Sequence, residues 1–293
     1  MTFLNFVISG LSLGSVYAII ALGYTMVYGI AKMLNFAHGD VIMVGAYICF
    51  YSVSRFHLPP IVGVILAMIV CTMLGIIVER LAYKPLRRAP SLAVLITAIG
   101  VSYFLQNSAL LLWTSNPKMF PSVVAKGSVK LFSGQLSVSY VTIVTIVTCI
   151  VIMICLTWFT GRTRMGKAMR ACSEDKGAAQ LMGINVNATI SLTFAIGSGL
   201  AAIAGVLLCS SYPTLMPTTG SMPGIKAFTA AVFGGIGSIP GALLGGLMLG
   251  VIEIFAKAYI STQLSDAIVF AVLIIVLLVK PAGLLGIEMQ EKV

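Results

Sequence analysis

The amino-acid sequence predicts an all-α integral membrane protein, a polytopic bundle of about eight or nine spanning helices that forms one domain over residues 1–293. Three observations predict this class. Hydrophobic residues make up 59% of the chain against 9% charged residues, and the mean hydropathy is +1.07. A soluble domain of this size needs far more polar surface than that. The apolar residues also occur in runs that approach the ~20 residues needed for a spanning helix.

The basic residues indicate topology rather than a nucleic-acid partner. The net charge is +10, but Lys and Arg are concentrated in a few short polar loops between apolar runs. A nucleic-acid-binding protein gathers its basic residues on one folded face instead. The sequence contains neither an HExxH nor a GxSxG motif and no plausible catalytic triad, so no catalytic residue and no metal site is predicted.

The spans follow from the apolar runs taken in order. The predicted spans are 3–30, a shorter run that ends at Ser54, 61–83, 91–113, 140–160, 188–212, a broken region at 224–258, and 265–279.

The region 224–258 is too long for one straight helix. Its 35 residues would extend about 50 Å, whereas the hydrocarbon core is about 30 Å thick. Gly234, Gly235, Gly237 and Pro240 lie in its middle, and this composition breaks helices. We therefore predict two short or half helices that meet at 234–241. The small residues favour close helix packing there. Close packing is compatible with a second role, in which half-helix ends face a cavity for a zwitterionic substrate.

The orientation follows from the basic clusters. The basic turn 84–88 and the polar loop 161–187 are separated by two spans, so they face the same side, and the positive-inside rule makes that side the cytoplasm. The same count places the N-terminus outside. It places Lys280 and the C-terminus inside if the region 224–258 crosses the membrane twice.

The first part of the loop 161–187 resembles a phosphate-binding motif by chance. The run from Gly161 to Lys167 matches GxxxxGK, but Ala168 follows where the motif needs a hydroxyl for Mg²⁺. A membrane span precedes the run where the motif needs a strand, and the loop is too short for a nucleotide-binding domain.

The second part of the loop predicts a short helix over 174–182. The predicted N-cap is Ser173, and Gly183 follows as the C′ residue. The other residues that we assign to the helix are acidic in its first turn or small and apolar on its faces: Glu174, Asp175, Ala178, Ala179, Leu181 and Met182. Ala178, Leu181 and Met182 form a stripe at i, i+3 and i+4 that suits a groove on another protein. The composition also allows the helix to lie on the bilayer or under its own bundle.

Several polar residues fall in or beside spans. Asn35, His38 and Asp40 either line a path or stabilise a broken helix within the membrane, or they lie solvated in a cytoplasmic turn. Glu253 must face the protein interior or be protonated, and its partner is not evident from the sequence. Gln106 and Asn107 are expected to hydrogen-bond between helices.

Four motifs occur in an order that resembles one family. They are NFAHGD at 35–40, GRTRMGKAMRA, AAQLMGIN and GGIGSIPGALLGG. Together they resemble the H-type permeases of branched-chain amino acid ABC transporters, over nearly the whole chain. Residues 161–187 also resemble the cytoplasmic coupling loop of ABC importers, with Gly177 where the general motif has Glu.

The resemblance implies a role and a set of partners. It implies a multi-pass permease in a bacterial inner membrane, with a periplasmic N-terminus, that imports Leu, Ile and Val. The implied partners are a second related permease, two cytoplasmic ATPases that hold ATP and Mg²⁺, and a periplasmic binding protein. No cofactor is expected in this chain. A stand-alone secondary transporter or channel for a small polar solute, or an ABC permease for urea or short amides, remains an alternative.

Overall fold

The computed structural model describes residues 2–87, 89–125, 127–131 and 136–286. Arg88, at the end of the predicted basic turn, and the last seven residues lie outside this part. Eleven α-helices carry nearly all of the described structure. They are α1 Thr2–Ala31, α2 His38–Ser54, α3 Pro60–Val78, α4 Ser91–Trp113, α5 Tyr140–Arg162, α6 Arg164–Glu174, α7 Lys176–Leu181, α8 Val186–Ser211, α9 Ser221–Gly234, α10 Ile239–Tyr259 and α11 Ser265–Val279.

The helix lengths confirm a polytopic all-α membrane protein. Among the described residues, six helices are long and apolar enough to cross a membrane: α1, α3 with its continuation to Tyr83, α4, α5, α8 and α10. Among the remaining helices of the bundle, α11 is apolar and has 15 residues, and α2 and α9 have 17 and 14 residues.

Two helices form the centre of the bundle. α1 and α8 are buried along most of their lengths, whereas less than a third of α3, α4 and α5 is buried. α1 runs antiparallel to α10, since the Phe3 and Phe255 rings lie 5.3 Å apart and Gly29 approaches Gly237. Small residues allow this close approach. A Cβ on Gly14 would lie 2.7 Å from the Cα of Leu247.

The two ends of the bundle differ in composition. At one end, which we call the basic end, α1 finishes, α6 and α7 project, and residues 280–286 return to the bundle. The backbone amide of Leu285 donates to the carbonyl of Gly234 there, at 2.9 Å. At the opposite end α1 begins and α10 finishes.

The predicted break in 224–258 is present. α9 ends at Gly234 and α10 begins at Ile239, and Gly235 and Gly237 between them have φ values of +106° and +98°. These angles lie in the left-handed region that glycine adopts at little cost. α9 is short, as predicted, whereas α10 has 21 residues and is a full-length span.

α2 and α9 begin inside the bundle rather than at its surface. Gly39, in the first turn of α2, packs on Gly220 and Gly224 at the start of α9, and a Cβ on Gly224 would lie 2.9 Å from the Cα of Gly39. The chain therefore re-enters the bundle at 32–37 from the basic end and at 212–220 from the opposite end.

The polar loop between α4 and α5 contains short strands that the sequence did not reveal. β1 Lys118–Met119 pairs with β4 Thr214–Leu215, and β2 Ser128–Leu131 pairs with β3 Leu136–Ser139, both antiparallel. The first pair ties this loop to the segment after α8.

The predicted single helix over 174–182 is wrong. Glu174 ends α6, and Asp175 leaves the helical region with φ −151° and ψ 116°. Asp175, rather than Ser173, caps α7 by accepting from the amides of Gly177 and Ala178 at 2.7 and 3.0 Å. A carboxylate that accepts two free amides is a strong N-cap.

Candidate functional site

α7 presents two different faces. Ala179 is 4% exposed and packs with Met26 and Ile30 of α1 and with Met169 of α6. Leu181, in contrast, is 90% exposed.

The predicted stripe lies on the outer face. Ala178 and Met182 are exposed beside Leu181, and Gly183 ends the segment with φ +80°. The two interpretations of this helix therefore apply to different faces. One face packs under its own bundle, and the other is an exposed apolar surface.

α7 is attached to the end of α1 by a lysine. The ammonium of Lys176 donates to the carbonyl of Ala31 at 2.8 Å. Burial lowers the pKa of Lys176, and the nearby positive charges of Arg87 and Lys32 lower it further. The contact thus gives one of the last carbonyls of α1 a partner that the helix cannot supply itself.

A buried ion pair connects α3 with α8 near α7. Glu79 is fully buried, forms an ion pair with Arg87, and accepts from the hydroxyl of Ser191 at 2.6 Å. Arg87 also donates to the side chain of Asn187. Glu79 begins a π-helical turn, Glu79–Tyr83, that ends α3. The sequence did not single out Glu79 and Arg87, because both fell at a predicted span boundary.

The polar motif after α1 is buried, so its interpretation as a solvated turn is wrong. Asn35, His38 and Asp40 are 5%, 1% and 1% exposed. Asn35 accepts from the hydroxyl of Tyr83 at 2.9 Å, which joins the re-entrant segment to the end of α3. The ring of His38 lies 4.6 Å from that of Tyr24 on α1.

Asp40 belongs to a polar cluster between α2, α4 and α9. Its Oδ1 accepts from the side-chain amide of Gln106 at 2.9 Å, and the same amide lies 3.3 Å from the hydroxyl of Ser221. Gln106 therefore bonds between helices, as predicted. Asn107 instead bonds within its own helix in the described structure, where its side chain donates to the carbonyl of Tyr103 at 2.8 Å.

The glycine break lies at the basic end, away from this cluster. Gly234 packs on Gly241, Gly235 on Gly286, and Gly237 on Gly29. These contacts agree with the close-packing role. The helix starts that lie within the bundle belong to α2 and α9 instead.

Glu253 faces the interior and has several partners. Its Oε1 accepts from Lys226 at 2.8 Å and from Lys257 at 2.6 Å, and its Oε2 accepts from the hydroxyl of Tyr17 at 2.8 Å. Lys226 also forms an ion pair with Asp266 at 2.6 Å. Two ammonium groups beside one carboxylate balance its negative charge inside the bundle. Lys226 escaped notice in the sequence because one charge in an apolar run barely alters hydropathy.

The predicted residues do not converge on one site. The coupling residues 174–183 and the glycines Gly234 to Gly237 lie at the basic end, Asp40 lies within the bundle, and Glu253 lies toward the opposite end, one turn before Lys257. In the described part of the chain, no three His, Cys, Asp or Glu residues are grouped so as to hold a metal ion.

A polytopic helical bundle with re-entrant segments and buried charges is an architecture typical of membrane transport proteins. The chain matches the family model described as "Branched-chain amino acid transport system / permease component" over residues 6–277. It therefore belongs to this family.

Several relatives match over almost their full lengths. The chain is 47% identical to the high-affinity branched-chain amino acid transport system permease protein LivH of Salmonella typhimurium, over 99% of this chain and 98% of that protein. It is 46% identical to LivH of Escherichia coli K12 and to BraD of Pseudomonas aeruginosa, with the same coverage.

Proposed function

We propose that the chain is the membrane permease subunit of an ABC importer that carries branched-chain amino acids (Leu, Ile and Val) across a bacterial inner membrane. The family membership supports this role, as do relatives at 46–47% identity whose names specify high-affinity branched-chain amino acid transport. The alternatives of a stand-alone transporter and of a urea or amide permease have no such support.

The proposed complex contains four further subunits. They are a second related permease, two cytoplasmic ATPases and a periplasmic substrate-binding protein. ATP and Mg²⁺ belong to the ATPases in this proposal, and the chain itself carries no cofactor.

The proposed orientation places the basic end in the cytoplasm. Lys32, Arg87, Arg164 and Lys280 all belong to segments that gather at that end. The positive-inside rule then places the α6–α7 segment and the C-terminus in the cytoplasm and the N-terminus in the periplasm.

The exposed face of α7 carries the coupling proposal. Ala178, Leu181 and Met182 form an exposed apolar surface on a short helical segment, and the opposite face packs on α1 through Ala179 and Lys176. Such a helix suits a groove on an ATPase subunit. Movement of that subunit would displace α7 and, through it, the end of α1.

Leu181→Asp tests the coupling, with Gln180→Asp as the matched control. Gln180 is also exposed, but it lies outside the apolar stripe. Burying a leucine contributes about 1.5–3 kcal/mol, so its loss weakens the ATPase contact roughly tenfold to hundredfold. In proteoliposomes that hold the complete transporter, we expect Leu181→Asp to lower ATP-driven leucine uptake roughly tenfold or more and Gln180→Asp to retain it.

Two results would contradict the proposal. Uptake at the wild-type rate by Leu181→Asp would show that the exposed face of α7 does not contact an ATPase subunit. Uptake by this chain alone, driven by a proton gradient and independent of ATP, would identify a secondary transporter.

A further inference from the structure

A cavity of about 250 Å³ lies where α1, α8, α9 and α10 meet, away from the basic end. One part of its wall is apolar and includes Leu13, Leu208 and Met222; the other is charged and includes Lys226, Glu253 and Lys257. Pockets for drug-sized ligands have volumes of about 300–1,000 Å³, so this cavity suits a smaller molecule. Its two walls match a molecule with an aliphatic part and a charged part.

The charged wall has unused hydrogen-bond donors. Of the three hydrogens that an ammonium carries, Lys226 uses two in the described structure, on Glu253 and Asp266, and Lys257 uses one on Glu253. The Lys257 side chain is 33% exposed, so its other donors can reach a ligand. Unused ammonium donors at a cavity wall favour an anionic, oxygen-bearing group such as a carboxylate.

Glu253 can accept the opposite charge of the same ligand. Two ammonium groups share its Oε1. A ligand carboxylate that binds Lys257 can replace Glu253 as the partner of this lysine. Oε1 of Glu253 can then accept a hydrogen bond from a ligand ammonium. The charge balance of the cavity is then the same with and without a zwitterion, so the buried carboxylate is never left unpaired.

We propose that this cavity is the site at which the permease binds its amino-acid substrate, with the α-carboxylate on Lys257 and Lys226 and the α-ammonium beside Glu253. The aliphatic side chain lies against Leu13, Leu208 and Met222. The assignment rests on the proposed function, from which it takes both the importer role and the orientation. In that orientation the cavity lies toward the periplasm, where a binding protein would release the substrate. Urea and neutral amides lack the carboxylate that the two lysines would bind.

The first test is transport by Lys257→Gln in the complete transporter. The matched control is Lys130→Gln, which removes the same charge from an exposed position on β2. The loss of one charged hydrogen bond to the substrate lowers leucine uptake roughly tenfold to hundredfold. Lys130→Gln transports at the wild-type rate, and in both variants the liganded binding protein still stimulates ATP hydrolysis.

The outcomes separate this assignment from the proposed function. Wild-type uptake by Lys257→Gln, or a parallel loss of uptake and of stimulated ATP hydrolysis, overturns the substrate site and leaves the importer role intact. The importer role fails instead if the wild-type complex shows no ATP-dependent leucine uptake.

The second test distinguishes a ligand site from an ion network that only joins helices. Met222→Cys places a thiol in the cavity wall, where Met222 is 44% exposed, and an anionic thiol reagent measures its access in the complete transporter. Labelling of the native exposed Cys155 is measured in the parent chain and subtracted. Leucine protects Met222→Cys, whereas leucinamide, which has the same shape without the carboxylate, does not.

Adding Lys257→Gln to Met222→Cys removes the protection by leucine. The absence of protection by leucine with Lys257 in place, or equal protection by leucine and leucinamide, overturns the assignment.

Discussion

The ion pair between Glu79 and Arg87 predicts a large and specific loss of stability. Glu79 is fully buried, whereas the Arg87 side chain is 16% exposed. Removing one partner of a buried ion pair costs about 3–5 kcal/mol, because the remaining charge is left uncompensated. The hydroxyl of Ser191 still donates to Glu79 after Arg87 is replaced, which reduces that penalty. We therefore expect Arg87→Met to lower the free energy of unfolding by about 3 kcal/mol, at the lower end of this range.

A double-mutant cycle isolates the charge effect. Replacing both partners with apolar residues of similar size is often neutral, since no buried charge remains. Glu79→Met with Arg87→Met is therefore expected to recover most of the stability that Arg87→Met loses. Unfolding in mixed micelles, monitored by circular dichroism, measures all four proteins. The ion pair does not have the proposed role if Arg87→Met costs less than about 1 kcal/mol, the size of a surface ion pair, or if the double variant is no more stable than the single one.

Three further changes test separate contacts by the same unfolding measurement. Gly224→Ala would place a Cβ 2.9 Å from the Cα of Gly39, so we expect it to lower the free energy of unfolding by about 1–3 kcal/mol. The control Gly161→Ala meets no atom within 4 Å and should change that free energy by less than about 1 kcal/mol. Equal effects would contradict the packing of α2 on α9. Gln106→Leu removes a donor from buried Asp40 and should cost about 1–3 kcal/mol, more than Asn107→Leu, and the reverse order would exclude the cluster around Asp40. Burial lowers the pKa of Lys176, so folding favours its uncharged form. The stability of the wild type relative to Lys176→Gln should therefore be flat at lower pH and rise as the pH passes from that lowered pKa toward the ordinary value for lysine. A fall in relative stability over this interval would contradict the burial of Lys176.

The sequence predicted the membrane architecture well because hydropathy and glycine content are local signals. The apolar runs identified the long spans, and the length of 224–258 with Gly235 and Gly237 identified the break. The sequence did not show how deeply a polar segment is buried in the bundle. Asn35 to Asp40 had the composition of a solvated turn, yet contacts with Tyr83, Gln106 and Gly220 bury it, and these partners are distant in the chain.

The helix boundary at Asp175 shows a second limit of sequence reasoning. Ser173 and Asp175 are both good N-cap residues, and the choice between them depends on whether the preceding residues are already helical. α6 extends through Ser173, whose hydroxyl bonds back to the carbonyl of Arg170 at 2.7 Å. Its low apolar content had made that helix appear to be a loop. The sequence also did not indicate that Lys226 pairs with Glu253, because the two residues are 27 positions apart and belong to different helices.

α1 connects the proposed coupling segment with the charged cavity. Its last residue, Ala31, accepts the hydrogen bond from Lys176, and Tyr17 in the same helix donates to Glu253. Fourteen residues separate Ala31 from Tyr17, which is about 21 Å of continuous helix at 1.5 Å per residue. A helix of this length moves nearly as a rigid body, so a displacement of α7 would also shift the hydroxyl of Tyr17 relative to Glu253. Because Glu253 holds both Lys226 and Lys257, a shift of Tyr17 would change the hydrogen bonds of the carboxylate that we propose to pair with the substrate ammonium.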